Sequence, residues 1–230
     1  MPDHPMLYAA SVEPLRDERL YARALQAASP ARREKAARLA RPEDRRLSLG
    51  AELLLRRALA DAGAQFPAHM ETGPHGKPFA PGLGICFNLS HSGEYALCAV
   101  CESEIGCDIE KIGPAPLDVA KRFFPREEYI DILSQPTPAL QNERFFLYWT
   151  IRESYMKAVG TGLSLPQDAF RVCAGETIRI IPDEKARSFR AYVSIPGYIA
   201  AVCAETDLSR TELTRLELTS LLSPPGFAAQ

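Results

Sequence analysis

No apolar run in this 230-residue chain approaches the roughly 20 residues that a membrane-spanning helix needs. The N-terminus also lacks a basic segment followed by an apolar core, so no secretory leader is read there. These absences lead us to expect a cytoplasmic protein with no membrane partner. An excess of one charge is missing too: 27 Lys and Arg against 29 Asp and Glu leave −2, which makes no case for a nucleic-acid partner. Basic residues do gather locally, at Arg32, Arg33, Lys35, Arg38, Arg41, Arg45 and Arg46, and taken alone that stretch reads as a solvated helix face.

Two kinds of catalytic apparatus are absent as well. Cys98 and Cys101 form a C-x-x-C, but no second pair completes the tetrahedral set that zinc prefers, and strand residues three apart face opposite ways. Most of the six cysteines sit in apolar strand-like runs, as small buried hydrophobes do, which suits a reducing compartment. Ser90 is followed directly by His91, and adjacent side chains do not generally make a nucleophile–base hydrogen bond. With no G-x-S-x-G either, a Ser-His hydrolase is the weakest reading.

What is present begins with size: 230 residues can bury one large domain or two small ones. Ser29-Pro30 caps a helix to about Leu39, and Pro42-Glu43-Asp44 starts another. Leu47, Ala51, Leu54, Leu55, Ala58, Leu59 and Ala62 keep helical spacing until Gly63. Residues 85–89 and 95–100 read as strands joined around His91-Ser92-Gly93-Glu94. Helices are expected over 116–124, after Pro125, and from about Asn142 to Gly160, with a loop at Pro136 and Pro138. A shift of 103 residues lays Tyr95-Ala96-Leu97-Cys98-Ala99-Val100-Cys101-Glu102 on Tyr198-Ile199-Ala200-Ala201-Val202-Cys203-Ala204-Glu205, matching both tyrosines and both glutamates. Each copy follows a helix that ends in glycine. We therefore expect an α+β protein of two similar halves, 1–112 and 113–230, with the site formed inside one chain, a monomer.

Chemistry concentrates in two segments. Ile105-Gly106-Cys107-Asp108-Ile109-Glu110 reads as a strand, which points Asp108 and Glu110 from one face, roughly 7 Å apart. Trp149-Thr150-Ile151-Arg152-Glu153-Ser154-Tyr155-Met156-Lys157 reads as a helix with Glu153 and Lys157 neighbours at i and i+4. Such pairs are common on solvated surfaces, but here the carboxylates lie among core-forming residues, and ionised groups at a core edge need partners. Three convergent carboxylates beside a lysine make a hard oxygen site suited to Mg²⁺.

These segments resemble the signatures of the Sfp-type (surfactin-synthetase-type) 4′-phosphopantetheinyl transferases, a G-x-D-x-E strand followed some forty residues later by a W-x-x-K-E-S-x-x-K helix. Gly76-Lys77-Pro78, Phe87-Asn88-Leu89-Ser90-His91-Ser92-Gly93, Lys121-Arg122-Phe123-Phe124 and Gly160-Thr161-Gly162-Leu163-Ser164-Leu165-Pro166 fall in the order that the family shows. The match runs from about Pro30 to Ala204. One departure is Arg152, where the family often has lysine. The resemblance implies two halves related by a pseudo-twofold axis with the active site between them. It implies transfer of the 4′-phosphopantetheine arm of coenzyme A to a serine of an apo carrier protein, with release of 3′,5′-ADP. It assigns Mg²⁺ to Asp108, Glu110 and Glu153, catalysis to Glu153 as base and Lys157 at the leaving group, and coenzyme A contacts to Arg32, Lys35, Lys77, Ser90, His91 and Lys157. Carrier docking falls on Lys121, Arg122, Phe123 and Phe124, although these phenylalanines equally suit a core. Two alternatives are a Mg²⁺-dependent pyrophosphate or nucleotide hydrolase and a non-catalytic carrier or coenzyme A binding module. A pure binder has no need of a base.

Overall fold

The computed structural model describes residues 4–222 except 68, 163, 164, 167, 168 and 184, so Leu163 and Ser164 of the Gly160–Pro166 block lie outside the described residues. The chain runs β1 (Met6–Ser11), a 3-10 turn (Glu13–Arg16), α1 (Glu18–Ala27), α2 (Pro30–Arg38) and α3 (Pro42–Asp61). The short β2 (Glu71–Thr72) and β3 (Pro78–Phe79) precede the hairpin of β4 (Cys86–Ser92) and β5 (Tyr95–Cys101). Next come β6 (Ile105–Lys111), α4 (Leu117–Phe123), α5 (Arg126–Leu133) and α6 (Pro138–Val159). A ribbon of β7 (Arg171–Ala174) and β8 (Ile178–Ile181) leads to β9 (Ser188–Tyr192), β10 (Tyr198–Ala204), β11 (Leu213–Arg215) and α7 (Leu218–Leu221).

The strands pair as β11-β1-β5-β4 in one sheet and β6-β10-β9 in another. Each half thus repeats one plan: a strand, three helices, then a two-strand return whose last member inserts between the other two. The internal repeat has a physical counterpart, because the rings of Tyr95 and Tyr198 meet edge to face with centroids 4.9 Å apart. The expected boundary after residue 112 leaves β6 with the first half, yet β6 hydrogen-bonds along its whole length to β10. By strand pairing, β6 opens the second unit.

Strand alternation sorts the core into layers. Cys98 and Val100 of β5 pack with Leu54, Leu55 and Leu59 of α3. Leu97 and Ala99 turn the other way, into a central layer with Ile105, Cys107 and Ile109 of β6 and Val202 of β10. Ala201 faces outward again, against Phe145, Ile151 and Met156 of α6. β6 therefore presents Cys107 and Ile109 to the centre, and Gly106, Asp108 and Glu110 to α6.

Helix ends follow local chemistry. Ser29 caps α2 by accepting from Arg32 N, and Asp17 caps α1 through Arg19 N and Leu20 N. α6 begins a turn earlier than the sequence reading, with Thr137 as cap and Pro138 as its first residue, where a missing N–H costs nothing. It ends at Gly160, whose φ of +79° suits the left-handed cap. No helix among the described residues is long and apolar enough to cross a membrane.

Candidate active site

The site forms where β6, α6 and β4 meet. Gly106 explains how close β6 and α6 come: a Cβ there would collide with Ser154 O and Ala158 N, both backbone atoms of the helix. The same close approach brings Lys157 onto the strand. Its Nζ donates to Asp108 Oδ1 at 2.6 Å and to Ser90 Oγ at 3.0 Å, while Ser90 Oγ donates to the same Asp108 oxygen at 2.7 Å. Asp108 is 2% exposed, and its second oxygen, Oδ2, is buried without a hydrogen-bond partner. Two residues on, Glu110 Oε2 accepts from Ser92 Oγ at 2.7 Å.

Electrostatics tie Glu153 to this group. Burial raises the Glu153 pKa, and the charges of Asp108 and Glu110 push it up further against the opposing effect of Lys157. Burial raises Glu110 as well, with Asp108 adding to it and the Ser92 hydrogen bond opposing. For Lys157, burial disfavours the charge, but the Asp108 charge and hydrogen bond outweigh it and leave the pKa raised. Three carboxylates thus share one ammonium.

Among the described residues, no three His, Cys, Asp or Glu side chains converge closely enough to hold a metal ion. Asp108 instead holds Lys157, and Glu110 holds Ser92. The donor set nonetheless fits a small hard cation: the ligating atoms are carboxylate oxygens, they are in excess over local positive charge, and Asp108 Oδ2 is a buried acceptor with nothing to accept.

The expected nucleotide-side residues divide. His91 retains solvent access while the protein packed around it, then Lys157 and Lys35, lower its pKa, with Asp44 opposing, so His91, Lys35 and Lys157 share one field. Lys35 is itself lowered by partial desolvation and by Arg32. Arg32 turns inward, donating from Nε to Glu52 Oε2 at 3.1 Å and from Nη1 to Ser48 Oγ at 3.2 Å. Lys77 lies toward the other end of β6, with Nζ donating to Glu104 Oε2 at 2.7 Å and to the carbonyls of Ile105 and Ala158 at 3.2 Å.

Other expectations separate similarly. Phe124 belongs to the core, stacked on Phe145 at 5.4 Å, whereas Phe123 is 40% exposed beside exposed Lys121 and Arg122. Arg152 is 1% exposed and grips both oxygens of Glu128, at 2.9 and 3.0 Å, under the ring of Phe170. Glu128 also accepts from Val172 N at 2.7 Å. Glu128 and Ser92 escaped the sequence reading. Only Ser92 carried a usable signal, two residues past Ser90 on the same strand face.

Comparison with known proteins agrees with this geometry. A family model described as the 4′-phosphopantetheinyl transferase superfamily matches residues 104–203. A 4′-phosphopantetheinyl transferase of Bacillus subtilis is 39% identical over 189 residues, covering 79% of this chain and 84% of that protein. The chain belongs to the 4′-phosphopantetheinyl transferase family. The transferase Sfp of B. subtilis strain 168 is 35% identical over 201 residues, covering 84% of this chain and 89% of its own. The psf-1 transferase of Bacillus pumilus is 34% identical, covering 78% and 80%. As a phosphopantetheinyl transferase, the chain has its β6 and α6 signatures inside the span of the family model.

Proposed function

We propose that this enzyme transfers the 4′-phosphopantetheine arm of coenzyme A to a serine hydroxyl of an apo acyl, peptidyl or polyketide carrier protein, releasing 3′,5′-ADP. The observation that carries the reading is the face of β6, with Asp108 and Glu110 packed against Glu153 and Lys157 and one Asp108 oxygen buried and unpartnered. Asp108, Glu110 and Glu153 would hold Mg²⁺, which when bound supplies positive charge against the pyrophosphate of coenzyme A.

The chain's own residues divide the remaining work. Lys157 is held charged by Asp108, so it can neutralise negative charge that develops on the departing bisphosphate. Glu153 takes the proton of the attacking serine as general base. His91 and Lys35 meet phosphate at the nucleotide end. Arg32 and Lys77 would reach it only by giving up Glu52 and Glu104, so the reading leans on the first two. Ser90, a coenzyme A contact by resemblance, also bonds Asp108 and Lys157 and holds them in place. Lys121, Arg122 and Phe123 offer an exposed cationic and aromatic edge to an acidic carrier, while Phe124 stays inside. A monomer in the cytoplasm suits a site complete within one chain and six free cysteines.

Intact-mass measurement of apo carriers incubated with enzyme, coenzyme A and Mg²⁺ tests this. A carrier should gain one phosphopantetheine and 3′,5′-ADP should appear only with it. Release of 3′,5′-ADP without any carrier would favour the hydrolase, and no mass gain on any carrier class would end the proposal.

A further inference from the structure

β4 and β6 lie side by side at the junction of the two sheets without sharing a backbone ladder. Side chains close that seam, and they do so in register. Asn88 Oδ1 accepts from Cys107 N at 2.9 Å, Ser90 Oγ donates to Asp108, and Ser92 Oγ donates to Glu110 while accepting from Lys111 N at 3.1 Å. Because both strands alternate with period two, the two hydroxyls of β4 fall opposite the two carboxylates of β6. A hydroxyl that accepts a backbone N–H through a lone pair keeps its one proton for the carboxylate, and that second bond restrains the carboxylate rotamer.

We propose that Ser92 is a positioning residue for the cation site: it holds Glu110 through Oε2, as Ser90 holds Asp108 through Oδ1, so that the pair of carboxylates is oriented across the junction by the other half of the molecule. The inference rests on the functional reading above. Ser92 acts through Glu110, whose Oε2 it holds. Hydrogen-bonding partners of ligand carboxylates typically set metal affinity or activity by about 10–100-fold.

The test uses Ser92→Val and Ser92→Thr in the full chain, since both suit a strand and nearly share a shape but only threonine keeps the hydroxyl. Mn²⁺ alone is titrated into each protein and free Mn²⁺ is followed by electron paramagnetic resonance. Ser92→Val should bind Mn²⁺ about 10-fold or more weakly and need correspondingly more Mg²⁺ for transfer, while at saturating Mg²⁺ its KM for coenzyme A stays near wild type and Ser92→Thr behaves as wild type. Ser92→Ala, with the same expectation, serves if the valine variant does not fold. Equal Mn²⁺ affinity in Val and Thr variants would overturn the inference, as would a threonine variant that folds but binds as poorly as valine. A wild-type chain that neither holds Mn²⁺ nor transfers would sink the functional reading itself. One that does both while the valine variant matches it would sink only the role of Ser92.

Discussion

Arg152 and Lys157 leave the same helix toward different neighbours, and each meets one carboxylate. Arg152 and Glu128 form a closed pair: both Glu128 oxygens are taken, a backbone N–H from Val172 adds a third bond, and aromatic rings seal the outside. Burial raises the Glu128 pKa, and Arg152 opposes that rise. Lys157 and Asp108 form an open pair. One Asp108 oxygen carries both bonds, the other is buried without a partner, and two further carboxylates stand in the same field. A buried acceptor left unsatisfied costs about 1–3 kcal/mol, so the second arrangement is a poor way to stabilise a fold. The contrast separates structural charge from chemical charge on one helix.

The largest effect should come from the open side. Asp108→Asn keeps the shape but removes the charge, and transfer should fall to background while thermal unfolding changes little, since relief of carboxylate repulsion offsets the charge partner that Lys157 loses. Single-turnover transfer alongside calorimetry decides it, and wild-type rate at saturating Mg²⁺ would remove Asp108 from the site. Glu153→Gln should follow, still binding coenzyme A but losing transfer by about 10²–10⁴-fold. Near-normal turnover across pH would leave Glu153 at most a ligand.

The closed side should answer in stability instead. Arg152→Met strands a buried carboxylate and should destabilise by about 3–5 kcal/mol in urea unfolding. Adding Glu128→Gln should restore part of that, whereas Lys157→Met, which leaves Asp108 its Ser90 hydrogen bond, should slow transfer and cost less stability than Arg152→Met. If Arg152→Met costs no more than Lys157→Met, the distinction between the pairs collapses. The smallest expected effect concerns His91. Its folded pKa lies below the unfolded value of 6.5, so the unfolded chain binds more protons and stability falls as pH drops from 6.5 toward the folded pKa. His91→Gln should flatten that acid-side loss, and phosphate of bound coenzyme A should raise the His91 pKa in an NMR titration.

Much of this was legible from local pattern. Strand alternation placed Asp108 and Glu110 on one face, helical spacing paired Glu153 with Lys157, and the 103-residue shift anticipated the matching central strands β5 and β10. β1 and β11 went unread because Met6–Ser11 lacks clean alternation and Leu213–Arg215 is too short to show any. The start of α6 was missed because Pro138 reads as a breaker, although the first helical position tolerates it. Pairings of Arg32 with Glu52, Lys77 with Glu104 and Arg152 with Glu128 join distant segments, which no short window of sequence reports. That limit explains why Arg32, Lys77 and Arg152 were read from the sequence while their carboxylate partners were not.

β11 runs parallel to β1 and forms the edge of the first sheet. That sheet therefore borrows its border from residues that follow the entire second unit. During synthesis, β1 must wait with one edge bare until the second unit has emerged, the exposed state that invites wrong pairing. Once β11 docks, the two halves are strapped together by the polypeptide itself, and cutting the chain between them would leave the first half without its border strand.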